Sequence, residues 1–172
     1  MPEYKNGFFE IQDASSQLVA PFMELKAGMT VIDACAGAGG KSLHCAALME
    51  NKGRIVSMDV RETKLKVLQK RAERAGASIL QTHLITAEKI LELTNSCDRL
   101  LIDAPCSGLG VLRRKPDTKW KLTPEFLKEV KETQQQLMHN YAPMLKKGGL
   151  LIYATCSILP SENRHQVDKF LN

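Results

Sequence analysis

Apolar residues fall along this chain in two alternating patterns. Short aliphatic runs at 30–34, 54–59, 79–84, 99–103 and 150–154 are bounded by turn residues, which predicts buried parallel strands. Between them lie helical stretches: 41–49, a basic amphipathic segment at 62–75 closed by Gly76, and a short one at 87–93. A long helix opens with Thr123 as cap and Pro124 in its first turn and is expected to run to Lys147-Gly148-Gly149. Gln12-Asp-Ala-Ser-Ser16 offers capping side chains to a lead-in helix reaching about Leu25, and Ser161 starts a final helix. Strand and helix in alternation imply βαβ units, hence an open α/β fold with a mostly parallel sheet flanked by helices. Ligands bind such sheets outside the carboxyl ends of the strands.

The length of 172 residues suits one domain: a lead-in at 1–27 and a core at 28–172. A sheet of this kind often continues past a fifth strand, so the chain is expected to be a fragment lacking the last strands. No apolar run is long enough to span a membrane and no signal-peptide pattern opens the chain, so a cytoplasmic protein is expected. Five cysteines without a Cys-x-x-Cys pair and four scattered histidines argue against a disulfide framework and against a metal site. The net charge of +5 is compatible with a polyanionic partner. Its placement says more, because Arg113, Arg114, Lys115, Lys119 and Lys121 crowd around Trp120. A solvated basic loop and a nucleic-acid contact both fit that stretch.

A glycine-rich turn, Gly37-Ala-Gly39-Gly40, joins the first strand to a helix, a place where backbone N–H groups and the helix dipole face a ligand. A P-loop needs glycine where Cys35 stands, and the dinucleotide fingerprint needs Gly or Ala where Ser42 stands, so both templates fail. Asp59 ends the second strand about twenty residues on. It suits the ribose hydroxyls of an adenosine-type ligand, or it caps the next helix.

Two thiols end strands. Asp103-Ala-Pro-Cys106-Ser-Gly follows the fourth run and Ala154-Thr-Cys156-Ser the fifth. A thiolate is a strong nucleophile at neutral pH. Asp103 beside it suits addition to an electron-poor heterocycle, although a turn-capping role also fits. Cys35, Cys45 and Cys97 read as small buried hydrophobes, with Cys35 lining the turn through its backbone.

Asp33-Ala-Cys-Ala-Gly-Ala-Gly-Gly-Lys41, Asp103-Ala-Pro-Cys-Ser-Gly108 and Ala154-Thr-Cys-Ser157 resemble the motifs of S-adenosylmethionine-dependent RNA 5-methylcytosine methyltransferases, nearest the bacterial ribosomal-RNA branch of RsmB/Sun type. Gly7-Phe-Phe-Glu-Ile-Gln-Asp-Ala-Ser-Ser16 and Leu112-Arg-Arg-Lys-Pro-Asp-Thr-Lys-Trp120 are similar to that family's pattern too. The resemblance implies a Rossmann-like class I fold, S-adenosyl-L-methionine as cofactor, and an RNA partner, ribosomal RNA before tRNA. It also implies a monomer without metal. Cys156 would be the nucleophile adding to C6 of cytosine, Asp103 would contact N3, and Cys106 would assist removal of the C5 proton. Cys35, Ala36, Gly37, Ala38, Gly39, Gly40 and Lys41 would cradle the cofactor with Asp59, Asp103 and Thr86, the last standing where the family often has Asp. Arg113, Arg114, Lys115, Lys119 and Trp120 would meet RNA. The family turn commonly reads Ala-Pro-Gly-Gly-Lys, which departs from Gly37-Ala-Gly-Gly-Lys41. A tRNA enzyme and a non-catalytic RNA-binding module share these motifs.

Overall fold

A computed structural model of the chain describes residues 1–120 and 122–172. Five strands, β1 (Thr30–Asp33), β2 (Arg54–Asp59), β3 (Leu80–Leu84), β4 (Cys97–Asp103) and β5 (Leu145–Ala154), form one sheet in the order β3-β2-β1-β4-β5. Every pairing is parallel. Two short N-terminal helices, α1 (Pro2–Lys5) and α2 (Ala14–Gln17), precede the sheet. The crossovers are α3 (Gly40–Leu48), α4 (Glu62–Arg74), α5 (Ala87–Glu92) and α6 (Pro124–Tyr141), and α7 (Arg164–Leu171) follows β5.

The aliphatic runs are continuous because both faces of the sheet are covered. Ile32, Val56, Leu100 and Ile102 pack with Met138 and Tyr141 of α6, whereas Val31, Ile55 and Leu101 pack with Cys45, Ala46 and Met49 on the opposite face. Each fully buried aliphatic side chain contributes roughly 1.5–3 kcal/mol. Strand order reverses between β1 and β4, so the crevice outside their carboxyl ends is the topological switch point. Asp33, Asp59 and Asp103 are the final residues of β1, β2 and β4.

Three elements depart from the sequence pattern, each at a proline. The lead-in helix shrinks to one turn capped by Asp13, whose carboxylate accepts from the Ser15 and Ser16 N–H groups. Pro21 then opens a 3-10 turn, Pro21–Met23, that ends at Glu24 with φ 49°, because proline offers no N–H to prolong the helix. The long helix α6 stops at Tyr141 rather than near Gly148, since Pro143 diverts the chain into a 3-10 turn, Ala142–Met144. The Lys147-Gly148-Gly149 segment lies inside β5, where the register with β4 shifts between Cys97 and Arg99. The last helix starts at Arg164, after a 3-10 turn, Pro160–Glu162, and a non-helical Asn163 (φ −123°, ψ −102°). That break turns Glu162 into the interior, where it is fully buried.

Candidate active site

The β1–α3 turn builds the first half of the site. Gly37 (φ +55°) and Gly39 (φ +85°) adopt left-handed backbone, open at low cost to glycine. A Cβ on Gly39 would lie 2.4 Å from Leu68 Cγ, so the residue is fixed by packing as well as by φ. Gly37 N–H donates to Asp59 Oδ2 at 2.9 Å, and Asp59 Oδ1 accepts from Arg61 N–H at 2.8 Å. Asp59 thus caps the following turn and braces the glycine loop. Ala36 N–H bonds Met58 O, and Arg71 donates to Ala38 O at 2.7 Å. Arg71 and Arg74 both grip Glu10, tying the N-terminal strap to α4.

Asp33, Cys35, Ala36, Gly37, Ala38, Gly40, Lys41 and Asp103 line a cleft of about 230 Å³, closed on one side by Gln12 and Ser16. Asp33 forms its floor. Ser42 Oγ donates to Asp33 Oδ2 at 2.7 Å and Ser57 Oγ donates to Ser42 Oγ at 2.9 Å, while Asp33 Oδ1 is buried without a partner. Burial pushes the Asp33 carboxyl up to about 6, opposed by the Ser42 hydrogen bond. Burial raises the thiols of Cys35, Cys45 and Cys97 above the ordinary value.

The second half lies at the ends of β4 and β5, where Asp103 and Ala154 are register partners. Cys106 Sγ is 3.2 Å from Cys156 Sγ and also accepts from Cys156 N–H at 3.2 Å. The Cys106 thiol hydrogen bond lowers the Cys156 thiol to about 6, against the opposing effects of partial burial and the Asp103 charge. The same bond, together with burial, pushes Cys106 up. The more exposed Cys156 is therefore the more acidic thiol of the pair. Cys156, Asp103, Lys41, Arg113 and Arg114 line a cleft of about 700 Å³ with Ser16 and Ile158. Lys41 Nζ reaches Asp103 Oδ2 at 2.5 Å, and both residues border both clefts.

The other sequence candidates are less gathered. Thr86 is exposed and caps α5, accepting from Lys89 N–H at 3.2 Å; neither it nor Asp59 lines the smaller cleft. In the loop after Cys106, Arg114 pairs with Asp13 at 3.2 Å and Lys119 lies over the Trp120 ring at 4.7 Å. Arg113, Lys115 and Trp120 are exposed, and only Arg113 and Arg114 of this group reach the larger cleft. Lys121 lies outside the described residues. Among the described residues no group of His, Cys, Asp or Glu could hold a metal ion, and no helix is long and apolar enough to cross a membrane.

Several site residues escaped the sequence reading. Asp33, Ser42 and Ser57 form a buried chain beneath the glycine turn. Glu162 and Gln134 lie beneath the two thiols. Gln134 carried a signal: it occupies the buried stripe of α6 with Val130, Met138 and Tyr141, and a polar side chain there needs partners.

Residues 20–172 match the model of the family described as 16S rRNA methyltransferase RsmB/F. The chain belongs to this family. A probable ribosomal RNA small subunit methyltransferase B of Bacillus subtilis is 42% identical over 170 residues, covering 98% of this chain and 38% of that protein. Ribosomal RNA small subunit methyltransferase B of Vibrio cholerae is 36% identical, with 99% and 39% covered. Among solved structures, NSun6 from Pyrococcus horikoshii with SFG superposes with a TM-score of 0.90 at 29% identity, covering 99% of this chain and 44% of that one. A methyltransferase homologue from Pyrococcus horikoshii gives 0.83 at 34%, with 99% and 53% covered. The chain spans about two fifths of the length of these curated relatives.

RsmB/F methyltransferases depend on S-adenosylmethionine. The residues present suit that donor: the cleft floor holds a buried carboxylate oxygen without a protein partner, and the glycine turn leaves open space where a Gly37 side chain would project. A carboxylate with unused lone pairs ends the next strand at Asp59.

Proposed function

We propose that this chain is the catalytic core of an RNA cytosine-5 methyltransferase acting on small-subunit ribosomal RNA, through a covalent bond from Cys156 Sγ to C6 of the target cytosine. The observation that carries the reading is the pair of thiols 3.2 Å apart at neighbouring strand ends, with Cys156, the one whose thiol is lowered, lining a cleft bordered by Asp103. One thiol alone would suit many reactions. Two with opposite shifts suit a cycle that needs both attack and release.

Bound S-adenosylmethionine supplies an electrophilic methyl group; Cys35 to Lys41, Asp33 and Asp59 would hold it, with Asp103 between donor and base. Cys156 thiolate adds to C6, and the C5–C6 π pair moves onto C5 and towards N3. Asp103, steadied by Lys41, faces N3 and passes it a proton drawn from solvent as charge builds there; N3 gives that proton back by the same route when the double bond is restored. Once C5 carries the methyl group, its proton must leave. Cys106 no longer shares its proton with Cys156 and, after losing it to water, takes the C5 proton. The pair from the broken C5–H bond rebuilds the double bond and expels Cys156 as thiolate.

Incubation with a small-subunit rRNA fragment and methyl donor, followed by a denaturing gel, tests this reading. Cys106→Ala should retain RNA covalently, because release is impaired, and Cys156→Ala should neither retain nor methylate it. Methylation by Cys156→Ala would overturn the assignment. Transfer to tRNA but not to the rRNA fragment would overturn the substrate.

A further inference from the structure

A carboxylate with no described cation against it lies beneath the two thiols. Glu162 is fully buried, and each of its oxygens is claimed by a different segment. Oε2 accepts from Ser107 N–H at 2.8 Å, next to Cys106, and from Gln134 Nε2 at 3.1 Å. Oε1 accepts from Ser157 Oγ at 2.6 Å, next to Cys156. The two serine hydroxyls touch each other at 3.0 Å, and Gln134 also donates to Pro105 O at 2.9 Å. Burial alone would raise the Glu162 carboxyl, yet these donors hold it below its ordinary value, so it stays ionised.

We propose that Glu162 is a positioning residue for methyl transfer: it clamps the Pro-Cys and Thr-Cys loops together through Ser107 and Ser157, and so sets the separation of Cys106 and Cys156. The thiols lie on separate strands fifty residues apart in sequence, and their contact is lost with a displacement of about 1 Å. A carboxylate suits the clamp because all its partners are donors. Glutamine cannot replace it, since its amide would point N–H groups at one set of donors. The groups facing Cys156 are Cys106, Asp103 and Lys41, and Glu162 acts on the first of them through the loop.

This proposal rests on Cys156 as nucleophile, but its test needs neither RNA nor methyl donor. Alkylation of Cys156 by iodoacetamide is followed by peptide mass spectrometry across pH 5–9 on the 172-residue chain. The wild-type chain should show a midpoint near 6. Glu162→Gln should move it towards the ordinary thiol value of about 8.5. A folded Glu162→Gln chain with an unmoved midpoint overturns the clamp. Should that variant fail to fold, Ser157→Ala, which removes one arm of the clamp, is measured the same way. An unmoved midpoint there overturns it equally. A shifted midpoint alongside tRNA-only methylation would leave the clamp standing and remove only the rRNA reading.

Discussion

Lys41 Nζ lies 2.5 Å from Asp103 Oδ2, and that pair is the seam between the glycine-turn cleft and the thiol cleft. Lys41 comes from the first turn of α3 and Asp103 from the end of β4, sixty-two residues apart in sequence. The lysine head is mostly shielded, at 14% exposure against 32% for the carboxylate. A partly shielded pair of this kind fixes a side-chain position more than it adds stability. Asp103→Asn should therefore leave the melting temperature nearly unchanged. It should slow single-turnover methylation by about 10²–10⁴-fold, the range for loss of a positioned acid or base. Lys41→Met should cost less, about 10–100-fold, the range for removing an orienting partner. Equal losses in both variants would show that charge balance, rather than the carboxyl group itself, carries the effect.

The Cys156 thiol, lowered to about 6 by its Cys106 hydrogen bond, sets a pH dependence with a definite sign. Thiolate is about a tenth populated at pH 5 and about nine tenths at pH 7. Single-turnover methylation should rise across that window and level off above it. The folded thiol titrates below the unfolded one, so the linked stability is fully present above about 8.5 and lost as pH falls through about 6. Asp33, raised to about 6 by burial, ionises over the same range at the floor of the smaller cleft. Asp33→Asn separates the two: the methylation midpoint should survive in that variant at saturating donor. A midpoint that vanishes with Asp33 would assign the profile to the cofactor side.

The sheet was legible because its strands are buried on both faces, which leaves uninterrupted aliphatic runs such as Leu100-Leu101-Ile102. The two thiols were legible too, since each follows such a run. What stayed hidden depends on contacts distant in sequence. The Asn163 break that turns Glu162 inward has no periodic signature, and its partners Ser107 and Gln134 lie on other elements. Asp33 read as a motif residue, but its buried, half-partnered state arises only when Ser42 and Ser57 close over it. The lead-in helix failed for a local reason: Leu18 and Phe22 would extend an apolar stripe, yet both are exposed, and Pro21 turns the chain so that Ala20 and Met23 are buried instead.

Gly110 couples the basic loop to Cys156. Its N–H donates to Cys156 O at 2.9 Å, and a Cβ there would lie 2.7 Å from the same oxygen. No positive φ is involved, so the constraint is contact rather than conformation. Gly110→Ala must displace the backbone that carries Cys156. A shift approaching 1 Å costs on the order of 100-fold in rate. Methylation should drop by about that factor, while donor affinity, measured by calorimetry, stays within about twofold because the glycine turn is untouched. Weakened donor binding would place the disturbance in the β1–α3 turn instead.

The basic segment after Cys106 should not act as a uniform patch. Arg113, Arg114 and Lys115 are all exposed, and Arg113 and Arg114 line the larger cleft, but Arg114 already pairs with Asp13 at 3.2 Å. A side chain that neutralises one phosphate adds about 0.9 to the salt slope of duplex binding, or about 0.7 for single strands. Arg113→Ala should weaken binding of the rRNA fragment and reduce that slope by close to one phosphate. Arg114→Ala should reduce it by less, because RNA must displace Asp13 before the guanidinium is available. Asp13→Asn then becomes the informative variant. Its amide still accepts from the Ser15 and Ser16 N–H groups that cap α2, but it releases Arg114, so the salt slope should steepen. Filter-binding titrations from 50 to 200 mM salt, the range over which a few phosphate contacts change affinity by orders of magnitude, would read all three. An unchanged slope in Asp13→Asn would show that Arg114 points away from the RNA.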